Sequence, residues 1–121
     1  MGIVIASKQV YEKHEEETVE SHTEGLIEEQ ANTIMISYEG GKITIDLLKQ
    51  HVLIERGLQQ IEIEINAKKV LNYETSYGRI EMETCGEKLS VENNPFCIII
   101  EYQIRLNGQM SYQNIVKITE M

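Results

Sequence analysis

Apolar and polar residues alternate with a period of two along most of the chain. The segments TIMISY, KITIDL and CIIIEYQIRL each place their isoleucines on one face of an extended backbone. Alternation of this kind is typical of β-strands with one buried face. In these and similar segments the apolar phase holds Ile34, Ile36, Tyr38, Ile43, Ile45, Leu47, Val52, Ile54, Ile61, Ile63, Ile65, Ile98, Ile100, Tyr102, Ile104, Leu106, Met110, Tyr112, Val116 and Ile118. The pattern predicts an all-β fold.

Glycine and asparagine residues separate these segments. Gly40-Gly41 follows TIMISY, Gly57 follows HVLIER, and Asn107-Gly108 follows the segment that ends at Leu106. Such residues favour the tight turns of hairpins because they tolerate a positive φ. Consecutive segments are therefore predicted to pair as antiparallel hairpins.

The glutamate-rich segment 11–29 fits two interpretations. Tyr11, Thr18, His22 and Leu26 lie near helical spacing among helix-forming glutamates, which favours a helix. Val19 and Thr23 prefer strands, however, and Gly25 would weaken a helix. We predict two long strands that turn near Glu15.

The segment LNYETSYGRIEMET changes the phase of its alternation at Gly78. The residues before the change are Tyr73, Thr75 and Tyr77, and those after it are Ile80, Met82 and Thr84. A bulge adds one residue to a strand and bends it, and glycine tolerates the required backbone. We predict that Gly78 lies at a bulge or strong bend that keeps both groups on one side of the sheet. Gly25 is expected to do the same between Val19 and Leu26.

Strongly bent long strands favour a closed barrel over a sandwich, because tilt, curvature and strand number are linked in barrels. A chain of 121 residues suits one domain with one core. We predict a single antiparallel β-barrel of roughly eight to ten strands over residues 1–121.

The run YETSYGRIEMET, followed by IIIEYQI and preceded by ISYE and LIERG, resembles the YwiB-type family of small bacterial proteins. The similarity extends from about Val4 to Ile118 and is clearest over Tyr73 to Thr84. The resemblance implies a calycin-like, that is lipocalin-like, β-barrel in the cytoplasm with no assigned activity. It supplies no catalytic or ligand-binding residues to carry over.

The charge balance narrows the classes of partner. The chain has 11 basic and 20 acidic residues, a formal net charge of −9. Phosphate backbones are bound through lysine and arginine, so nucleic acid and anionic membrane surfaces are poor partner candidates. No stretch is long and apolar enough to predict a signal peptide or a membrane span. With two cysteines, the sequence predicts a cytoplasmic protein with reduced thiols.

Five tyrosines fall on the apolar phase of their strands and are the candidate ligand-binding residues. They are Tyr38, Tyr73, Tyr77, Tyr102 and Tyr112. A small barrel is wide enough to hold one small ligand, and aromatic rings with a few polar groups would suit it. The same tyrosines could instead plug a barrel end, with their hydroxyls in water.

Other candidate chemistry is sparse. A hairpin centred on Val91 would place Cys85 opposite Cys97, as inert reduced neighbours or as a weak metal or redox pair. His14 and His22 could face each other across the first hairpin, but their spacing forms no recognisable metal set. We predict no metal site, no cofactor and no catalytic residue.

Two functional hypotheses follow. The first is non-catalytic binding of a small apolar or aromatic ligand, or of a protein partner. The second is an enzyme that acts on a small molecule inside the barrel, with an interior carboxylate or tyrosine beside Arg56 or Arg79. Most glutamates fall on the polar phase, which favours binding. Exposed strand edges would also allow a homodimer.

Overall fold

The computed structural model describes residues 2–11, 16–108 and 110–120. These residues contain ten strands and no helix, which confirms the predicted all-β fold. The strands are β1 Gly2–Tyr11, β2 Glu16–Gln30, β3 Thr33–Tyr38, β4 Gly41–Asp46, β5 His51–Arg56, β6 Gln59–Glu64, β7 Lys68–Thr75, β8 Gly78–Glu92, β9 Cys97–Leu106 and β10 Met110–Glu120. The described part of the glutamate-rich segment belongs to strands, as predicted. The expected turn near Glu15, and with it His14, lies outside the described residues.

All neighbouring strands pair antiparallel in one sheet with the order β6-β5-β4-β3-β2-β1-β10-β9-β8-β7. Most neighbours are hairpin partners along the chain. The exception is the pair of β1 and β10, whose register runs from Ile3 opposite Glu120 to Tyr11 opposite Tyr112. This long-range pair joins the two hairpin series into one sheet.

The sheet curls until β6 reaches β8, which makes a nearly closed barrel. Ile65 and Gly86 form an isolated parallel bridge, and the Asn66 N–H donates to the Gly86 carbonyl at 2.8 Å. The Thr84 hydroxyl donates to the Glu62 carbonyl at 2.6 Å. A Cβ at residue 86 would lie 2.7 Å from the Glu64 carbonyl oxygen, so only glycine permits this approach. The predicted barrel is thereby confirmed, with Gly86 at its seam.

The predicted bulge at Gly78 is wrong. Ser76 and Tyr77 form a two-residue turn, and Gly78, with a φ of 116°, is the first residue of β8 opposite Thr75. A two-residue hairpin pairs an odd position with an even one, so the phase changes without any bulge. The register does pair Tyr73 with Ile80. Tyr77 lies in the turn and is 99% exposed, so it shares no sheet face with Ile80.

The bulge of this barrel lies further along β8. Pairing with β9 passes from Gly86 opposite Tyr102 to Lys88 opposite Glu101, which leaves Glu87 as the extra residue. The inward phase changes there, from even positions to odd ones such as Leu89. A bulge bends its strand and increases the twist. The bend at Glu87 therefore lies beside the residue that closes the barrel.

Gly25 does not change the phase of β2, contrary to prediction. Thr23 and Ile27 on either side of it are both half-buried, whereas Val19 and Leu26 are exposed. Gly25 instead marks the point where β2 exchanges its partner β1 for β3.

The core fills the barrel with buried side chains from β1, β3, β4, β5, β6, β8, β9 and β10, and Ile27 of β2 packs against it. Eight isoleucines are at most 1% exposed: Ile3, Ile36, Ile43, Ile45, Ile63, Ile98, Ile100 and Ile118. Burying one such side chain contributes about 1.5–3 kcal/mol. Side chains on one face of each strand pack in this core, and those on the other face contact water. This explains why apolar and polar residues alternate along the sequence.

Cys85 and Cys97 lie on adjacent strands, as predicted, but they are not opposite each other. Cys85 pairs with Gln103, and Cys97 pairs with Glu92 across a turn formed by residues 93–96. Gln103 lies six positions after Cys97 along β9, a distance of about 20 Å. The predicted hairpin centre at Val91 is wrong, because the turn is centred between residues 94 and 95 and the extra residue Glu87 also changes the register. Both thiols are free and half-buried.

Candidate binding pocket

A cavity of about 180 Å³ opens at one end of the barrel. Its rim includes the last residues of β3 and β5, Tyr38 and Arg56, and the first residue of β6, Gln59. The inner faces of β1, β9 and β10 complete the wall. The aliphatic part of the lining is Ile5, Ile43, Ile54, Ile61, Ile104 and Val116. The cavity is therefore an unfilled continuation of the barrel core toward the β3–β4 and β5–β6 turns.

Three of the five predicted tyrosines line this cavity: Tyr38, Tyr102 and Tyr112. Of the other two, only the side chain of Tyr77 is described. Tyr77 lies in the β7–β8 turn in full contact with solvent. Tyr73 belongs to β7, a terminal strand of the sheet order, and its side chain lies outside the described part of the structure. The structure thus brings together the tyrosines of β3, β9 and β10.

A hydrogen-bonded chain crosses the buried wall of the cavity. The Asn114 side-chain N–H donates to the Tyr102 hydroxyl at 2.6 Å, and the Ser7 hydroxyl donates to the Asn114 Oδ1 at 3.2 Å. Tyr102 is 1% exposed. Burial raises the pKa of Tyr102 to about 12, against smaller lowering effects of the Asn114 hydrogen bond and the Arg56 charge. Tyr102 is therefore a neutral phenol at physiological pH.

A second group of residues forms one row across the mouth of the cavity. Tyr38, Gly41, Arg56 and Gln59 are consecutive cross-strand partners on β3, β4, β5 and β6. A Cβ at residue 41 would lie 2.6 Å from the Tyr38 hydroxyl oxygen, so the ring of Tyr38 lies over Gly41. Directly paired positions have Cβ atoms about 5 Å apart. The hydroxyl of Tyr38 is thereby directed toward the strand that carries Arg56.

The polar residues of the pocket were missed at the level of sequence. Ser7 and Gln9 continue the inward phase of Ile3 and Ile5, and Asn114 lies in the inward phase between Tyr112 and Val116. A polar residue on an otherwise apolar phase is a signal that could have identified them, since a buried polar group needs a partner. Arg56 was named only for the enzyme alternative.

A charged cluster lies on the outside of the barrel beside the seam. His51 Nε2 is 2.9 Å from Glu62 Oε1, and Lys69 Nζ is 3.1 Å from Glu64 Oε2 and 3.7 Å from Glu62 Oε1. The hydrogen bond with His51 lowers the pKa of Glu62, helped by the charge of Lys69. This cluster links β5, β6 and β7 where the barrel closes.

Neither histidine of the described segments joins a metal-ligand cluster. In residues 2–11, 16–108 and 110–120, no group of three or more histidine, cysteine, aspartate or glutamate side chains is placed to hold a metal ion. His22 lies 3.2 Å from Glu20 on the exposed part of β2. Within the same residues, no helix has the length and apolar character that crossing a membrane requires.

Comparison with known proteins gives a family and a fold. The sequence model of a family described as "Domain of unknown function (DUF1934)" matches residues 3–118. A solved structure described as "Crystal structure of ywiB protein from Bacillus subtilis" is similar, with a TM-score of 0.66 and 18% sequence identity, over 99% of this chain and 92% of that one. At this identity the likeness shows a shared fold. No curated protein matches the chain.

Proposed function

Because the chain belongs to the DUF1934 family of unknown function, we propose its function from its own geometry: it binds a small ligand without covalent chemistry in the pocket at the barrel mouth. The family and the similar YwiB structure confirm the resemblance noted in the sequence. Neither names a ligand, so the cavity and its lining support the proposal.

The single observation that carries the proposal is the cavity between Tyr38, Tyr102 and Tyr112. An apolar cavity of about 150 Å³ in a protein core can admit benzene. A space of about 180 Å³ with an aliphatic floor therefore suits a ligand built around one ring. Larger, drug-sized molecules usually occupy pockets of about 300–1,000 Å³.

The ionisable groups of the pocket favour binding over catalysis. They are the guanidinium of Arg56 and the phenols of the three tyrosines. Tyr102, with a pKa of about 12, keeps its proton at physiological pH and is a weak acid there. General acid–base catalysis works best with a pKa near the working pH. These side chains are better suited to orienting a ligand than to moving its protons.

An NMR titration with a neutral ring probe, benzyl alcohol, tests the proposal. We expect the amide signals of Ile5, Ile104 and Val116 to shift together with saturation. Gln59→Trp should block the mouth, because residue 59 lines the pocket. Gln60→Trp is the matched control, since residue 60 points to the opposite face of β6. Unchanged signals at all three residues, or equal binding by both variants, would contradict the proposal.

We extend the proposal to location and assembly. A cytoplasmic location is supported by the two free thiols, which lie too far apart to bridge within the chain. A homodimer through an open strand edge is supported by β7, which ends the sheet order. Light scattering coupled to size-exclusion chromatography distinguishes a mass of one chain from a mass of two.

A further inference from the structure

We propose that the pocket ligand carries a negative charge, a carboxylate or a similar small anion on a single ring, and that Arg56 receives it. This inference rests on the proposed function and adds the chemical class of the ligand. Arg56 supplies the positive charge at the mouth, and among the described residues the pocket lining contains no aspartate or glutamate. An anion entering the pocket would meet its counter-charge directly.

The position of Arg56 suits this role. It is the last residue of β5, exposed at the rim, and none of the described carboxylates forms an ion pair with it. Its exposed side chain lies where a ligand at the mouth can reach it. Arginine presents planar N–H donors that match the two oxygens of a carboxylate, which gives orientation as well as attraction.

Neutral hydroxyl groups line the same cavity as Arg56. The oxygen of Tyr102 accepts the hydrogen bond from Asn114, so its own O–H can donate to a further group, and no other described residue takes that hydrogen. Tyr38 reaches over Gly41 toward Arg56. The charge of Arg56 also reaches Tyr102, since it lowers the pKa that burial raises. Arg56 at the rim and the tyrosines in the wall thus border the same small cavity.

The shape of the cavity gives the ligand a direction. Isoleucines and Val116 form its floor, whereas Arg56 and Gln59 lie at its rim. A ring would enter first and leave its charged group at the mouth. The overall charge of −9 does not prevent this, because charges more than about 8 Å apart are largely screened at physiological salt.

The test compares two probes of nearly equal size, benzoate and benzamide, by NMR titration of the full chain at pH 7. We expect benzoate to bind about tenfold more tightly or better, as a charge-assisted hydrogen bond would produce. Arg56→Gln should abolish the preference and leave benzamide binding in place, and Arg56→Lys should retain part of it. Arg105→Gln, on the outer face of β9, removes the same charge and should leave the preference intact.

The outcomes separate this inference from the proposed function. Equal binding of the two probes, or a preference for benzamide, would overturn the anionic ligand while leaving a ring-binding pocket. Failure of both probes to shift the pocket residues would overturn both. The comparison on the unaltered protein does not depend on the folding of any variant.

Discussion

Asn114 on β10 donates a 2.6 Å hydrogen bond to the hydroxyl of Tyr102 on β9 inside the barrel. Both residues are buried, so neither group can turn to water when the other is removed. A substitution that breaks this hydrogen bond should therefore affect both the stability of the barrel and the structure of the pocket wall.

Tyr102→Phe should lower the free energy of unfolding by about 1–3 kcal/mol, because it leaves the Asn114 N–H buried without an acceptor. Urea denaturation measures this change. Tyr38→Phe, which removes a half-buried hydroxyl, is the control and should cost less.

The double variant Tyr102→Phe with Asn114→Leu sharpens this test. Replacing both partners with apolar groups is often nearly neutral, so the double variant should be more stable than the sum of the single changes predicts. Additive costs would show that the hydrogen bond contributes nothing to stability.

Gly86→Ala should open the seam of the barrel. Its Cβ would lie 2.7 Å from the Glu64 carbonyl oxygen, a backbone atom, so β6 must move away from β8. Overpacking of this kind typically costs about 1–3 kcal/mol. Chemical denaturation and amide hydrogen exchange of Asn66, which donates to Gly86, measure the loss. Glu81→Ala on the exposed outer face of β8 should change stability little; an equal loss there would contradict the role of the seam.

Gly41→Ala should disturb the mouth of the pocket. The new Cβ would lie 2.6 Å from the Tyr38 hydroxyl oxygen and 2.8 Å from the Glu55 carbonyl oxygen. We expect a loss of about 1–3 kcal/mol in unfolding free energy and weaker binding of ring probes. Adding Tyr38→Leu should recover part of the stability, since it removes the ring. No recovery would assign the whole cost to the Glu55 backbone.

The cluster beside the seam should make stability depend on pH. The pKa of Glu62 is lowered in the folded protein, so its contribution is present above the unfolded pKa near 4.5 and is lost as the pH falls through the folded value. Because Glu62 is 49% exposed, solvent screening limits the effect to about 1 kcal/mol or less. Urea denaturation of Glu62→Gln should show a deficit at pH 6 that shrinks as the pH is lowered to 3. The same deficit at both values would exclude the carboxylate charge as its cause.

The alternation of the sequence was sufficient to locate the strands, because the isoleucine core and water impose opposite demands on successive residues. Asn107 and Gly108 both adopt a positive φ, which is why their turn could be recognised. The change of phase at Gly78 could not be interpreted locally, since a two-residue turn and a bulge produce the same pattern. The bulge at Glu87 was hidden because Glu87 and Lys88 are both polar.

The pocket was only partly predictable for a related reason. Alternation indicates which side of a strand is inward, and it placed Tyr38, Tyr102 and Tyr112 correctly on that side. It does not indicate how far along the barrel each residue lies. That depends on register and on the seam at Gly86, which are properties of strands distant in the sequence. Tyr77 is an example in which alternation misled the prediction, because this residue lies in a turn and not in the sheet.

The pairing of β1 with β10 has a consequence for the order in which the protein is made. At synthesis rates of about 5–20 residues per second, β1 is complete roughly 5–20 s before β10 exists. During that interval β2 can pair with one edge of β1, while the other edge of β1 stays unpaired until β10 has been synthesised. Residues Ser7 to Gln9 are polar on both faces of β1, which lowers the tendency of its unpaired edge to aggregate with another chain. The joining of the two hairpin series is thus a late event, and the polar composition of β1 protects its unpaired edge until then.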